Sequence, residues 1–417
     1  MNDKTLYEKI LGVTTPWHVS DVQMDLSSNS ITVTVDHTSN ATFHCPDCQK
    51  PGPIHDHRVK RWRHLPTCHL RTIIEAQTPR ITCPTHGVKQ VTVPWADGQS
   101  SFTALFEALV IHWLREASVS AVSGLMDLSW DQVDTIRHRA VQRGLARRKV
   151  RHVKAVGIDE TSFQKRHEYV TVLVDQNEHT VMEVLDDRKQ QTLQTHLESL
   201  PKKQREAIQT ISMDMWDPYI AAVRNTMENW EQLICFDRFH VSSHYGKALD
   251  QVRAAENREL IEQYGESILK HTKHDWLRNS GRTDNRSRRW FLALTRQKLK
   301  TARAWAIKET AADLWEYTVA GHAENAWKKL ISWMRRCRLT PMKTLCNTIS
   351  NYLWGIINAI VNGVTNATSE AINGRIQWIK KMACGFRNRN RFREAILFHL
   401  GGLDLMPKCA QFSHLKA

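Results

Sequence analysis

Three short apolar segments lie close together in the middle of the sequence, and they constrain its fold more than any other feature. They span residues 155–158, 169–174 and 181–185, are rich in Val, and are separated by polar turn formers such as Asp175-Gln176-Asn177. Short apolar runs bounded by turn residues are typical of β-strands. The stretch therefore predicts three consecutive antiparallel strands.

Aspartates stand at the ends of several apolar segments in this region. The first segment ends on Asp159, and two later ones, residues 209–213 and 232–236, are followed by Asp214 and Asp237. An Asp at the end of a strand commonly begins a turn, which is one explanation. Alternatively, acids delivered to the same edge of one sheet would form a site for a divalent metal ion. The pattern alone leaves both explanations open.

Helical patterns alternate with the later strands. Residues 190–207 are amphipathic, Asp217-Pro218 is a typical helix start, and the residues after Asp237 are helical. The order β-β-β-α-β-α-β-α predicts a mixed sheet with helices on both faces, which is the ribonuclease H-like arrangement. Residues 246–350 break this rhythm, and we interpret them as an all-α insertion in which most Trp side chains are core, with stacking on bases or insertion into distorted DNA as the alternative for a minority of them.

Two short cysteine motifs near the N-terminus predict a zinc site. Cys45-Pro-Asp-Cys48 and Cys83-Pro-Thr-His86 each place two ligands three residues apart. Three thiolates and one imidazole form a ligand set that tetrahedral Zn²⁺ prefers. The alternative is two unrelated pairs of reduced ligands.

The segment between the two motifs is predicted to fold as a zinc ribbon. Residues 59–65, 70–76 and 78–82 have the pattern of strands. The basic and aromatic run that contains Arg61 and Arg63 favours a DNA-facing ribbon, although a zinc ribbon can also be purely structural. Other potential ligands with less suitable spacing are His55, His57, Cys68 and His69.

A helix-turn-helix motif is predicted after the ribbon. Residues 117–126 and 130–145 have helical periodicity around a short turn, and Ser129 with Gln132 has the spacing of a capping box. The polar residues of the second helix suit the DNA major groove, although any three-helix bundle gives similar periodicity. The candidate DNA contacts here are Gln132, Arg137 and Arg139, followed by Arg147, Arg148 and Lys149 in a basic run that favours phosphate contact over a merely solvated face.

A third informative segment lies near the C-terminus. Ile372, Ile376 and Ile379 form the apolar stripe of a predicted helix, and Glu370 lies near its N-terminal end. A carboxylate at that position ordinarily compensates the helix dipole, but opposite Asp159 and Asp214 it would be a third metal ligand. Basic residues in and after this helix are further candidate DNA contacts, namely Lys380, Lys381, Arg387, Arg389 and Arg391.

The predicted architecture is a multidomain α+β protein. It consists of an N-terminal region with the zinc ribbon (1–98), a helix-turn-helix domain (99–148), a ribonuclease H-like α/β catalytic domain in two parts (149–245 and 351–417) and the all-α insertion (246–350).

Composition indicates a nucleic-acid partner. The chain has 58 Lys and Arg against 43 Asp and Glu, a net charge of +15, which favours a polyanion such as DNA over a membrane. The N-terminus lacks the pattern of a signal peptide, and the most apolar window, residues 352–364, is too short to span a bilayer. Nine Cys without regular spacing argue against a disulfide framework. We therefore expect a soluble, cytoplasmic protein.

Five sequence blocks, in this order, resemble DDE transposases of bacterial insertion sequences, specifically the zinc-finger-bearing ISL-three family. The blocks are CPDC with CPTHG, GIDETSF, ISMDMWDPY, CFDRFHV and NATSEAINGRIQWIKKMACGFRNRNRF, and the last is the most specific. The resemblance covers nearly the whole chain. One departure is His86, which stands where the family often has Cys and is itself an ordinary Zn²⁺ ligand.

The resemblance implies an activity and its residues. Asp159, Asp214 and Glu370 would be a catalytic triad that holds two Mg²⁺ or Mn²⁺ ions, with Asp237 a nearby motif acid. Such an enzyme would bind the terminal inverted repeats, cleave the element ends and join the 3′-OH ends to target DNA as a homodimer or larger assembly. Two alternatives remain open at this point, a DNA-binding regulator without catalysis and a ribonuclease H-like nuclease.

Overall fold

The computed structural model describes residues 3–150, 152–164, 168–278, 291–364 and 367–408. The chain divides into two compact units, one formed by Met1–Arg148 with Leu403–Ala417 and the other by Lys149–Gly402. Within the described ranges, no helix combines the length and the apolar character that crossing a membrane requires.

The first unit begins with a small sheet whose strand order is β1-β2-β6-β5, with β7 also paired to β6. Alternate residues of β2 (Ile31, Val33 and Val35) point into the core, as expected for a strand with one buried face. The elements of this region are α1 Asp3–Leu11, β1 Trp17–Asp25, β2 Ser30–His37, β3 Phe43–His44, β4 Pro51–Gly52, β5 Ile54–Arg63, β6 Arg71–Cys83 and β7 Gly87–Gln90.

One strand prediction in this region was wrong. Residues 70–76 and 78–82 were expected to form two strands, but β6 runs through both without a break. It stays continuous because β5 pairs with it from Ile73 to Ile81, and the ladder tolerates Pro79 opposite His57. The strand ends at Cys83, which places a zinc-ligand candidate at a sheet terminus.

Three helices complete the first unit: α2 Ala104–Glu116, α3 Val119–Met126 and α4 Trp130–Arg147. The capping box is confirmed, since the Ser129 hydroxyl accepts from the Gln132 backbone N–H and the Gln132 side chain accepts from the Ser129 backbone N–H. The short α3–α4 connection passes through Asp127, which adopts a left-handed conformation with φ of 49°. The helices predicted at residues 117–126 and 130–145 thus agree with α3 and α4 to within two residues at each end.

The second unit is built on a five-stranded mixed sheet of order β10-β9-β8-β11-β12. The strands are β8 Ala155–Gln164, β9 Glu168–Asp175, β10 Thr180–Leu185, β11 Thr210–Met213 and β12 Ile234–Phe236. The first three are antiparallel neighbours, as predicted, whereas β11 pairs parallel with both β8 and β12. One detail differs from the prediction: Asp159 lies within β8, because that strand continues to Gln164 in register with β9.

Helices connect the later strands of this sheet. The predicted helix 190–207 is in fact two helices, because Pro201 lacks the backbone N–H that a helix interior needs. The strand predicted at 232–236 is shorter, since its first two residues belong to a helical turn. The helices are α5 Gln190–Ser199, α6 Lys202–Ala207, α7 Asp217–Thr226, α8 Trp230–Leu233 and α9 Arg238–Tyr264.

The rest of the second unit is helical in its described part. Its elements are α10 Lys273–Leu277, α11 Lys300–Asp313, α12 Ala320–Arg336, α13 Thr340–Val361, α14 Ala367–Met382 and α15 Arg389–Leu400. Trp276 and Trp327 are fully buried, in agreement with the prediction that most Trp residues here are core. These helices share one hydrophobic core with β8, β11 and β12, and the predicted border between residues 350 and 351 lies within α13.

Candidate metal centres and DNA-contacting residues

The four predicted zinc ligands converge in the first unit. Cys45 Sγ lies 3.7 Å and Cys83 Sγ 3.6 Å from Nδ1 of His86, and the Sγ atoms of Cys48 and Cys83 are 3.6 Å apart. Bonds of about 2.3 Å to sulfur and 2.0–2.1 Å to nitrogen give tetrahedral edges of about 3.4–3.8 Å. The separations therefore fit one tetrahedral Zn²⁺ ion.

Local backbone geometry favours the metal-binding form of the Cys83 thiol. Cys83 ends β6, and Gly87 takes the left-handed φ of 68° that turns the chain back into β7. Backbone N–H groups of His86 and Thr85 point at the thiol and lower the pKa of Cys83 to about 6. The thiolate is the form that binds metal. The competing candidates His55, His57, Cys68 and His69 lie outside this ligand cluster.

Strand register brings three aspartates into one row across the sheet of the second unit. Thr210 pairs with Ala155 and Ser212 with Gly157. Continuing that register by two residues places Asp214 beside Asp159. On the other side of β11, Met213 pairs with Phe236. Extending that register by one residue places Asp237 beside Asp214. Asp214 and Asp237, each one residue past the end of its strand, therefore lie beside Asp159, which is within β8, at the same edge of the sheet.

A histidine completes this cluster. Ligand atoms of Asp159, Asp214 and His240 all lie within 4.8 Å of one another. Nε2 of His240 is 2.9 Å from Oδ1 of Asp214. Asp237 fixes the start of α9 by accepting hydrogen bonds from the backbone N–H groups of Phe239 and His240, which brings the His240 side chain back over the aspartate row.

The electrostatics of the cluster indicate a site that is short of positive charge. Burial and then the Asp214 carboxylate raise the pKa of Asp159 to about 7, and burial also raises the pKa of Asp237. Burial would lower the pKa of His240, but its contact with Asp214 outweighs this and raises it. Crowded carboxylates that favour their protonated forms are stabilised as anions when a cation binds. Hard oxygen ligands of this kind suit Mg²⁺ or Mn²⁺.

Helix α14 lies along β8 through a row of polar contacts. Asn373 donates to Oδ2 of Asp159 (2.7 Å), Gln377 to Oγ1 of Thr161 (2.9 Å), and Lys380 to the backbone O of Ser162 (2.6 Å). Residues about one helical turn apart thereby reach successive positions along the strand. Gly157 allows the approach, since a Cβ at that position would lie 2.5 Å from Oγ of Ser369.

Glu370 lies on this helix, one turn before Asn373, and its side chain is exposed. It lines an open cleft together with Asp237 and Phe239 and is not among the ligand atoms that cluster around Asp159. The sequence did not identify His240 or Asn373. Both residues lie in sequence blocks that carry the family resemblance, His240 in CFDRFHV and Asn373 in NATSEAINGR, and that was the available signal.

Several predicted DNA contacts make intramolecular contacts in the structure. Arg137 is buried and paired with Asp134, which corrects the expectation that this arginine lies on an open polar face of α4. Arg139 donates to the buried carboxylate of Glu107 at 2.5 Å. Arg147 donates to the backbone O of Met406 at 2.6 Å.

The remaining candidates differ in their exposure. Arg61 pairs with Glu75 from an exposed position, Arg63 is half-buried near Asp127, and Arg389 pairs with Glu168. The exposed candidates are Gln132, Arg148, Lys149, Lys381, Arg387 and Arg391.

Three family models match this chain in the order of its modules. A zinc-finger of transposase IS204/IS1001/IS1096/IS1165 matches residues 41–86, the helix-turn-helix domain of transposase family ISL3 matches residues 91–141, and the ISL3 transposase model matches residues 156–396. The matches therefore define the class of protein as a transposase with a zinc-finger module and a helix-turn-helix module. Because the transposase match covers more than half of its length, the chain belongs to the ISL3 family of insertion-sequence transposases, which are DNA-binding and DNA-cleaving enzymes.

Curated relatives agree along most of the chain. The transposase for insertion sequence element IS1001 of Bordetella parapertussis is 23% identical over 84% of this chain and 86% of its own length. The transposase for insertion sequence element IS1557 of Mycobacterium tuberculosis is 26% identical over 96% of both chains.

Proposed function

We propose that this transposase binds the terminal inverted repeats of its insertion sequence, cleaves the element ends by metal-dependent hydrolysis and joins the freed 3′-OH ends to target DNA. The observation that carries the proposal is the aspartate row. The proposed active site lies in a ribonuclease H-like domain, with the helices of residues 246–350 as its insertion.

Asp159 and Asp214 are the two central carboxylates of the proposed site. Each offers oxygens on the same side of the sheet edge, and the Asn373 amide orients Asp159. Divalent ions bound there would supply an activated nucleophile and stabilise the leaving oxygen. His240 Nε2 contacts Oδ1 of Asp214 at 2.9 Å and helps to hold that carboxylate in place.

Glu370 is proposed as the third carboxylate. It lies on α14 one turn before Asn373, which touches Asp159, and the proposal requires its exposed side chain to move towards the aspartates when metal ions and DNA bind. The basic residues Lys381, Arg387 and Arg391 that follow it are proposed to contact the phosphates of the bound end.

The first unit is proposed to recognise the terminal repeats. One Zn²⁺ ion held by Cys45, Cys48, Cys83 and His86 would stabilise the ribbon, and α4 would enter the major groove with its exposed N-terminal turn. Transposition holds two element ends together, so the active form is proposed to be a dimer or a larger assembly on DNA in the bacterial nucleoid.

The test is cleavage of a duplex that carries the inverted repeat flanking the coding region, with Mg²⁺ or Mn²⁺. Asp159→Asn should abolish cutting and leave binding of the end measurable, whereas the matched change Asp186→Asn, at an exposed carboxylate outside the cluster, should cut normally. Cleavage by Asp159→Asn would refute the proposed reaction.

The same assay separates the roles of individual groups and the alternative functions. Normal cleavage by Glu370→Gln would remove that residue from the active site without affecting the aspartate pair. Preference for an RNA–DNA hybrid would indicate a nuclease, and binding without any cleavage would indicate a regulator.

A further inference from the structure

A stack of two aromatic rings and one guanidinium lies beside the aspartate row. The guanidinium carbon of Arg188 is 4.6 Å from the ring centroid of Tyr169 and 5.5 Å from that of Trp216. Distances below about 6 Å place a cation in attractive contact with the face of a ring. Arg188 is thus shared by two rings and connects them into one surface.

Two short paths fix this stack relative to the proposed site. Trp216 follows Asp214 by two residues, and its backbone N–H donates to the Asp214 carbonyl at 2.8 Å. Arg188 donates to Glu160 at 3.3 Å, and the backbone N–H of Glu160 donates to Oδ1 of Asp159 at 2.7 Å. Consequently Arg188 and Trp216 line the same cleft as the two aspartates.

The outer member of the stack is open to solvent. Trp216 is 42% exposed and lines the cleft of the aspartates, whereas Trp378 in the same unit is 52% exposed but does not line it, and Trp276 and Trp327 are fully buried. A large apolar ring left exposed at the mouth of a cleft is a typical element of a ligand site rather than of a core. Among the described residues, Trp216 is not part of the core of the unit, and α7 packs on that core through Tyr219, Ala222 and Val223.

The charges favour a flat neutral ligand over a phosphate group. Glu160 pairs with Arg188 and offsets its charge, so the stack itself offers little attraction for a phosphate group, which the proposed metal ions at the neighbouring aspartates would bind instead. What the stack offers is aromatic surface, and every nucleobase has a π-face that stacks on such a surface without regard to sequence.

We infer that Trp216, supported by Arg188 and Tyr169, is a stacking platform for the nucleobase next to the cut phosphate, and so holds the DNA end in position. This inference rests on the proposed cleavage of element ends. Trp216 is a binding and positioning residue here, and the carboxylates remain the groups that act on the phosphate.

The test is a double-mutant cycle in which Trp216 is changed in the protein and single bases are removed from the DNA. The full-length chain is measured with element-end duplexes in which each of the three nucleotides on either side of the cut is replaced in turn by an abasic site. Binding is measured with Ca²⁺, whose flexible coordination supports binding at carboxylate sites, and cutting with Mg²⁺. The variants are Trp216→Ala, Trp216→Phe and the control Tyr264→Ala, an exposed aromatic at the far end of α9.

We expect Trp216→Ala to weaken binding of the intact end by on the order of tenfold, which is a typical loss for one stacked base. With the abasic site at the stacked position, wild type and Trp216→Ala should bind equally. Trp216→Phe should retain most of the affinity, and Tyr264→Ala should match wild type with every duplex.

The outcomes separate the inference from the proposed function. Suppose that wild type cuts, and that Trp216→Ala either binds every abasic duplex more weakly than wild type by the same factor or binds all duplexes as tightly as wild type. The stacking platform is then refuted and the cleavage proposal stands. If wild type does not cut but the cycle in Ca²⁺ shows coupling at one nucleotide, the platform stands and the proposed reaction fails. Absence of both refutes both.

Discussion

Asn373 on α14 donates a hydrogen bond of 2.7 Å to the buried carboxylate of Asp159 on β8, across 214 residues of sequence. Oδ1 of the same amide is buried and has no hydrogen-bond partner among the described residues. This contact joins the helix that carries Glu370 to the strand that carries the first aspartate. The orientation of a proposed metal ligand therefore depends on an amide that is itself outside the carboxylate cluster.

Removing this amide should weaken metal binding. Asn373→Ala should lower the Mn²⁺ affinity, measured by calorimetry, by about tenfold, because partners that orient a metal-ligating carboxylate typically contribute that much. The matched control is Gln377→Ala, which removes the neighbouring hydrogen bond of 2.9 Å to Thr161 but leaves Asp159 oriented. Equal losses in the two variants would mean that the effect comes from docking of the helix and not from the carboxylate.

The zinc ribbon should depend on the four converging ligands and on no other cysteine. We expect the purified chain to contain one Zn²⁺ ion by elemental analysis, Cys83→Ala to lose it, and His86→Cys to keep it, since Cys₄ sites also bind zinc tetrahedrally. Cys68→Ser is the control, because Cys68 is exposed and lies outside the cluster. Chelation should lower the Tm of the first unit, since metal binding contributes directly to the stability of such folds. Full zinc content in Cys83→Ala would contradict the site.

The first unit should lose stability in mild acid through His64. Its side chain is only 2% exposed, its Nδ1 lies 2.9 Å from Oγ1 of Thr103, and burial lowers the pKa of His64 to about 4. The folded state keeps this imidazole neutral while the unfolded chain takes up a proton near pH 6.5. The contribution of neutral His64 to the free energy of unfolding is therefore complete above pH 6.5. It is lost as the pH falls towards 4, by up to about 3 kcal/mol.

The measurement for His64 is the free energy of unfolding between pH 4 and pH 7 with saturating Zn²⁺. The free energy of unfolding of His64→Gln should change less between pH 4 and pH 7 than that of wild type. Acid release of zinc affects both proteins alike, so only the difference between their curves is informative. Parallel curves for wild type and variant would exclude His64 as the titrating group.

Two basic residues that look equivalent in the sequence should behave differently. Arg139 and Arg143 both pair with the buried carboxylate of Glu107, so Arg139→Ala leaves that carboxylate one arginine and should destabilise the helical bundle by on the order of 2 kcal/mol. Lys149 is exposed, and Lys149→Ala should leave the Tm unchanged while reducing the slope of log affinity against log salt by about 1. Loss of DNA binding in Arg139→Ala without a change in Tm would show that this arginine contacts DNA directly.

Features defined by local chemistry were predictable. The capping box of Ser129 and Gln132, each of the three antiparallel strands, and each of the ligand pairs Cys45/Cys48 and Cys83/His86 depend on residues a few positions apart. The break at Pro201 and the continuity of β6 were missed, because the first lay inside an amphipathic pattern and the second is imposed by pairing with β5.

The sequence by itself determined which chemical groups are available: the thiols and imidazole, the aspartates that follow apolar segments, and the family to which their order belongs. Only the tertiary structure decided which of those groups meet. Strand register aligned Asp159, Asp214 and Asp237, the cap of α9 brought His240 to them, and the packing of α14 supplied Asn373. It also assigned Arg137 and Arg139 to buried carboxylates. The physical reason is that register and packing are set by contacts between distant parts of the chain, which no local pattern of residues encodes.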